Sequence, residues 1–231
     1  MSYSITALGD AALTLSFGNV ISRELNKKVV SLAHAVKTAN LPAIKDIVPA
    51  YTSVTIHYDL IKIGKEHKSE NPFYIMSKQI EALLSHPEEI RDVVCRNLHI
   101  PVCYSLKYGL DLPEISEHIK LPVDEIIRLH TAGKYKVYML GFLPGFAYMG
   151  DVDERIAVPR KSEPRLKIEP GSLGIAGTQT GIYPLASPGG WQIIGRTPIK
   201  LFDKEILDPV YFRAGDEVEF YTITEDEFDH Y

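Results

Sequence analysis

Cysteine is scarce in this chain of 231 residues, occurring only as Cys95 and Cys103. Two thiols outside any C-x-x-C pair do not make the framework of a disulfide-stapled secreted domain, and a reducing compartment fits them. Long apolar runs are missing too. The longest, such as residues 137–143, fall far short of the ~20 residues that a membrane span needs, and Met1-Ser2-Tyr3-Ser4 opens no charged-then-apolar leader. A soluble, cytoplasmic protein is expected. Neither sign of charge dominates. A net charge of -5 and a pI near 5.9 supply no basic field that would draw nucleic acid or an anionic membrane without sequence preference. The eight histidines show no zinc spacing such as H-E-x-x-H, so no metal site is expected. A G-x-x-x-x-G-K-[ST] loop and a G-x-S-x-G elbow are both absent, which removes a P-loop nucleotide cradle and the α/β-hydrolase nucleophile.

What is present has two textures. At 45% hydrophobic residues the chain can bury one large core or two small ones. Through residue 102, period-two patterns alternate with helical ones. Leu13, Leu15 and Phe17 suit a strand; Leu25, Val29, Leu32 and Val36 suit one face of a helix; Val54, Ile56 and Tyr58 suit a strand again. Residues 72–85 read as a second helix with Pro72 in its first turn, and Leu98, Ile100 and Val102 as a further strand. The order β, β, α, β, β, α, β predicts a ferredoxin-like or related α+β domain over residues 1–102. Residues 112–133 hold two short helical stretches that act as a bridge, with Gly133 as a stop. Beyond them, ten of the sixteen glycines and six of the fifteen prolines fall within residues 141–195. Such punctuation forbids long helices. Short strands at residues 155–158, 166–168, 173–176, 191–194 and 218–221 then predict a closed or nearly closed β-barrel over residues 103–231.

Residues 170–195 contain no charged side chain. Glycines 171, 174, 177 and 181 let backbone come close to a ligand, or simply permit tight barrel corners. Just upstream lies a basic cluster of Arg155, Arg160, Lys161, Arg165 and Lys167, and Arg196 follows the charge-free run. A guanidinium fork can grip carboxylate or phosphate with two parallel hydrogen bonds, so Arg160, Arg165 and Arg196 are candidate anion contacts; a solvated strand pair is the bland alternative. Gln179 and Tyr183 are candidates to orient a substrate by hydrogen bonds. Gly145, Phe146 and Tyr148 in one turn-rich loop, and Pro188, Gly189, Gly190 and Trp191 in another, either wall a small-molecule pocket or cover a partner surface. Cys103 has no neighbouring base to activate it, and His130 lies on the apolar face of a helical stretch; both read as packing residues.

The run from Tyr135 to Gly150, with Gly141-Phe142-Leu143-Pro144-Gly145-Phe146-Ala147-Tyr148-Met149-Gly150 at its end, is followed by Val158-Pro159-Arg160-Lys161-Ser162. Further on stand Gly174-Ile175-Ala176-Gly177-Thr178-Gln179-Thr180-Gly181-Ile182-Tyr183-Pro184 and Ser187-Pro188-Gly189-Gly190-Trp191-Gln192. These motifs resemble the allophanate hydrolase subunit 1, or KipI-like, family. Leu8-Gly9-Asp10-Ala11-Ala12-Leu13 and Val48-Pro49-Ala50-Tyr51-Thr52-Ser53 extend the resemblance to nearly the whole chain. It implies an α+β first domain and a cyclophilin-like β-barrel second domain. It also implies an ATP-hydrolysing 5-oxoprolinase that opens 5-oxoproline to L-glutamate and is inactive without its partners. Those are a second protein of related barrel fold (allophanate hydrolase subunit 2, the C component of 5-oxoprolinase) and the A component of 5-oxoprolinase. ATP, with Mg, enters as co-substrate; no bound metal or organic cofactor is implied. Other branches inhibit a sporulation sensor histidine kinase or form part of a urea carboxyltransferase, and shared fold alone does not choose among them. One departure stands out. Where the family usually has a glycine pair and an acidic residue, this chain has Cys103-Tyr104-Ser105-Leu106-Lys107-Tyr108-Gly109-Leu110-Asp111-Leu112.

Overall fold

In the computed structural model, which describes residues 2–67, 70–86, 90 and 93–231, the early alternation becomes an antiparallel sheet. Its strands are β1 (Ser4–Ala7), β2 (Ala12–Ser16), β3 (Ile44–Pro49) and β4 (Ser53–Tyr58), in the order β1-β2-β4-β3. Leu13, Leu15, Val54, Ile56 and Tyr58 all point to one buried side, as a two-residue period requires. Helix α1 (Arg23–Thr38) begins where Ser22 accepts from the Leu25 N–H, and its Val29, Leu32 and Val36 cover that side. Helix α3 (Pro72–Leu84) adds Ile75, Met76 and Ile80 to the same core. Between them a short helix α2 (Leu60–Glu66), capped by Asp59, escaped the sequence pattern. Buried Asn26 explains the Pro49-Ala50-Tyr51 motif: its Nδ2 donates to the carbonyls of Ala50 and Tyr51 at 3.2 and 3.3 Å.

The chain divides into two compact units, Met1–Val94 and Cys95–Tyr231. Strand β5 (Asn97–Val102) has the expected alternation, but it runs parallel to β13 (Glu217–Thr222) inside the second unit's sheet. Alternation specifies a strand's two faces and not its neighbour. That sheet holds seven strands in the order β12-β9-β10-β7-β6-β13-β5, with β6 (Tyr135–Leu140), β7 (Ala147–Gly150), β9 (Ser172–Ala176), β10 (Gln179–Ile182) and β12 (Gln192–Arg196). Its two edges meet. Cys103 donates to the Arg196 carbonyl at 2.8 Å, and Arg196 returns the bond at 3.0 Å. The sheet is therefore a nearly closed barrel without a long free edge. Ile100, Val102, Leu112, Ile126, Val137, Leu173, Ile175 and Phe220 fill its core. Helices α4 (Leu112–Ile119) and α5 (Val123–Thr131) fall on the two expected helical stretches and pack Leu112, Ile115, Ile126 and Leu129 into that core, and Lys120 in the left-handed region turns the chain between them.

Two strands lie outside the barrel sheet: β8 (Arg165–Ile168) and β11 (Ser187–Gly189) pair only with each other. The strand expected over residues 155–158 is instead a 3-10 turn, Glu154–Ile156. Asp153 accepts from both the Arg155 N–H and its guanidinium, and this local bonding outcompetes a ladder. Only Val158 makes an isolated bridge, to Gly177. Among the described residues no helix is long and apolar enough to cross a membrane. A short helix α6 (Glu225–Asp229), opened by the Thr224–Glu227 capping box, follows β13.

Candidate functional site

One carboxylate ties the ribbon of β8 and β11 to the barrel. Asp111 directly precedes α4, where an aspartate ordinarily caps its own helix, with proline in the first turn. Its side chain makes no capping bond. Only 2% exposed, it accepts from Arg165 Nη1 and Nη2 at 2.8 and 2.6 Å, from Lys161 Nζ at 3.1 Å and from the Ile193 N–H at 2.6 Å. Burial alone pushes its pKa up. The hydrogen bonds from Arg165, Ile193 and Lys161 outweigh that and hold the carboxyl below its usual range. The sequence offers Arg165 as a grip for an external anion, but both of its Nη groups are spent on a partner 54 residues away. Asp111 is the residue that sequence reasoning misses. Its signal, a lone acid opening an apolar helix, is the same as that of an ordinary cap.

The ribbon lies close over an aromatic cluster. Gly189 faces Arg165 across it, and a Cβ there would collide with the Tyr183 hydroxyl and with Ile168, so only glycine fits. The main chain of Lys161 donates to the Gly190 carbonyl at 2.7 Å. Beneath, Phe146 meets Tyr148, Tyr183 and Trp191 edge-to-face with centroids 4.8, 5.3 and 5.5 Å apart, a geometry that adds ~0.5–1.5 kcal/mol per pair to burial itself. Phe146, Tyr183 and Trp191 are buried, so they back the site from within and do not line an open pocket. Pro188 is exposed, Tyr148 is half-buried, and Phe142 stands out at 62% exposure with its ring toward Phe146 and Tyr183. The loop carrying them turns sharply at Phe142 and Gly145, both at positive φ. A Cβ on Gly145 would lie 2.9 Å from the Leu201 carbonyl, so that position packs against the chain and has no room for a side chain.

Arg160 is the cation that remains at this face. Exposed, it holds its guanidinium carbon 5.9 Å from the Trp191 ring centre, with no carboxylate or hydrogen-bond partner among the described residues. Burial raises the pKa of Tyr183; the main chain of Trp191 and the fields of Arg160 and Arg165 work the other way.

Two predicted residues lie elsewhere. Gln179 begins β10 opposite Gly150 and Ala176, and Tyr183 follows that strand's end, about 13 Å of strand away. Arg196 ends β12, whose opposite end is Gln192, donating to the Pro159 carbonyl beside Arg160. Its Nε donates to the Pro170 carbonyl at 2.8 Å, and its guanidinium sits 5.9 Å from both Tyr108 and Phe228.

His130 is fully buried and fully bonded. Thr180 Oγ1 gives its proton to the Gly174 carbonyl, so His130 Nε2 donates to that hydroxyl at 3.2 Å, and Nδ1 accepts from Tyr104 at 2.9 Å. One neutral tautomer satisfies every member. Burial lowers the imidazole pKa to about 3. Among the described residues no cluster of three His, Cys, Asp or Glu could hold a metal ion.

Residues 3–212 match the family described as carboxyltransferase domain, subdomain C and D. The B component of 5-oxoprolinase from Bacillus subtilis (strain 168) is 42% identical over 231 residues, with 99% of this chain and 96% of that protein covered. A conserved uncharacterized protein from Pyrococcus horikoshii, known as a crystal structure, is 40% identical over 97% of this chain and 100% of its own, with a TM-score of 0.56. The crystal structure of TTHA0988 superposes at a TM-score of 0.78 and 32% identity over 92% of this chain, which spans 40% of that longer one.

Proposed function

Since the chain belongs to the carboxyltransferase subdomain C and D family, we propose that it is one component of an ATP-dependent 5-oxoprolinase, opening 5-oxoproline to L-glutamate together with partner proteins. The observation that carries this reading is the unpaired guanidinium of Arg160 at the exposed rim of a buried aromatic wall. A fork held by an aromatic face, with no protein acid to neutralise it, is the group that a small carboxylate would seek. The full-length likeness to the B component of a bacterial 5-oxoprolinase makes 5-oxoproline the natural acid to test. In finer architecture the first unit is a ferredoxin-related α+β layer and the second a cyclophilin-like barrel.

The chemistry follows from the lactam. Its amide carbon is a poor electrophile, and transfer of the ATP γ-phosphoryl group to the lactam oxygen activates it. Water then adds to that carbon, the C–N bond breaks to free the amine, and hydrolysis of the resulting acyl phosphate yields L-glutamate and inorganic phosphate. Arg160 holds the substrate carboxylate, the Tyr183 hydroxyl donates toward the reacting oxygen once the ribbon shifts, and Arg165, through Asp111, sets the ribbon's position. ATP and Mg enter with the assembly. So do the other two components, one of related barrel fold, and Phe142 at the rim is an apolar surface for one of them to cover.

The test is 5-oxoproline-dependent ATP hydrolysis by this chain alone and by the co-expressed set. The chain alone should be silent and the set active. Arg160→Ala should raise the KM for 5-oxoproline by about 10- to 100-fold and leave the KM for ATP nearly unchanged, the loss expected of one charge-assisted contact. Unchanged kinetics in that variant would remove Arg160 from the site; an assembled set without 5-oxoproline-dependent turnover would remove the function.

A further inference from the structure

Arg196 belongs to a second constellation, at the far end of β12 from Arg160. There the segments 170–171 and 196–200 and the helix α6 line an open cleft of about 480 Å³, within the range of small-molecule sites, ~300–1,000 Å³. Its lining includes Pro170, Pro184, Arg196, Phe228 and Asp229. Gly171, at positive φ and with its Cβ direction aimed into the Thr197 carbonyl, brings two of the lining segments into close approach and admits no side chain.

The charges around the cleft are mostly spoken for. Lys200 pairs with Asp203 at 2.7 Å, and Glu169 pairs with Lys167 at 2.7 Å. Lys107 lies in the field of Asp229 and faces Glu225 at 3.8 Å. Arg196 is different. Its Nε bond to Pro170 and its flanking rings, Tyr108 and Phe228, fix the plane of the guanidinium, yet neither Nη has a partner among the described residues. A fixed fork with two free donors matches the two oxygens of a carboxylate. Asp229, lining the same cleft without an ion-pair partner among the described residues, disfavours a dianion and favours a ligand that brings a cationic donor of its own. Between the two stand proline and phenylalanine surfaces that suit an apolar body.

We propose that this cleft is a binding site for a free α-amino acid with an apolar side chain. The carboxylate lies on the Arg196 Nη groups, the ammonium faces Asp229, and the side chain lies against Pro170, Pro184 and Phe228. The site is separate from the Arg160 face and does not rest on the oxoprolinase reading.

Isothermal titration of the full chain tests it with L-leucine, L-phenylalanine and L-proline as probes. At least one should saturate below about 20 mM, as a single-site small ligand would. With L-leucine, Arg196→Gln should weaken binding at least about tenfold and Asp229→Asn about threefold, since Asp229 is the more exposed anchor. Two truncated probes separate the anchors: 3-methylbutylamine, without the carboxylate, should not bind, and 4-methylpentanoate, without the ammonium, should bind more weakly than L-leucine. Arg196→Lys, which keeps the charge and loses the fork, guards against a folding defect and should also weaken binding. No saturation by any probe, or affinity indifferent to both Arg196 variants, overturns the site. Equal affinity for L-leucine and 4-methylpentanoate overturns the amino-acid assignment.

Discussion

Asp111 shows how a single side chain can decide what its neighbours are free to do. Four donors converge on a carboxylate that is nearly out of solvent, so the cluster resembles a buried ion pair more than a surface one. Removing the charge leaves Arg165, 26% exposed, without its carboxylate and sets an amide NH₂ against one of the Arg165 or Ile193 donors, while Lys161, 19% exposed, keeps Glu114 at 2.7 Å. Water can reach both cations in part, so the cost is expected below the full buried-pair value: Asp111→Asn should lose about 2 kcal/mol. Urea unfolding followed by the fluorescence of Trp191, the only tryptophan in the chain, measures it in the right unit. A loss under about 0.5 kcal/mol would mean that the pair behaves as an exposed one. The pH dependence has a definite sign. A carboxyl held below its unfolded pKa of ~3.9 contributes fully above that value and loses the contribution as pH falls through its lower folded value, so the variant's deficit should shrink in acid. Arg160 is available for ligand because it lacks what Arg165 has.

Among the elements, the barrel depends on the junction of β5 with β12. The bond pair between Cys103 and Arg196 closes it, and the approach is so tight that a Cβ on Gly195 would stand 2.7 Å from Val102 Cγ1 and 3.0 Å from the Cys103 carbonyl. A backbone carbonyl cannot move aside as a side-chain end can. Gly195→Ala should therefore cost about 2–3 kcal/mol by overpacking, with Cys103 and Arg196 amides exchanging faster with solvent than in the wild type; unchanged protection at those amides would contradict the closure. None of this junction is legible from the chain, because Val102 reads as an ordinary strand residue and Gly195 falls just past the strand expected over residues 191–194. Alternation in Leu13 and Leu15 or in Val54 and Ile56 names a buried face, and there sequence and structure agree. It is silent on partners, so β5 carries no hint of its parallel pairing with β13. The candidate site divides along the same line. The aromatic loop, Gly189 and Trp191 are compositionally odd and do come together, whereas Gln179 and Arg196 are close to them only along the chain. A strand carries its two ends apart, and that distance does not show in a run of letters.

For the whole molecule, stability in mild acid should depend on the buried chain of Tyr104, His130, Thr180 and the Gly174 carbonyl. His130 is neutral in the fold with a pKa lowered to about 3, against ~6.5 when unfolded. Below 6.5 the unfolded chain takes a proton that the folded one refuses, so the stabilisation is complete above pH 6.5 and is lost progressively as pH falls toward 3. At pH 5 the loss is about 2 kcal/mol, since the unfolded state is favoured by about 1.5 pH units of protonation. Protonation would also force Nδ1 to donate where it now accepts from Tyr104, leaving two donors face to face. His130→Leu separates this from the other titrating groups, which remain in both proteins and cancel in the comparison. Whatever its stability at pH 8, the variant should lose less between pH 8 and pH 5 than the wild type does, by about 2 kcal/mol, in urea titrations read by Trp191. Equal slopes in the two proteins would mean that His130 already takes up a proton in the folded barrel. The one-tautomer chain from Tyr104 to Gly174 would then be wrong.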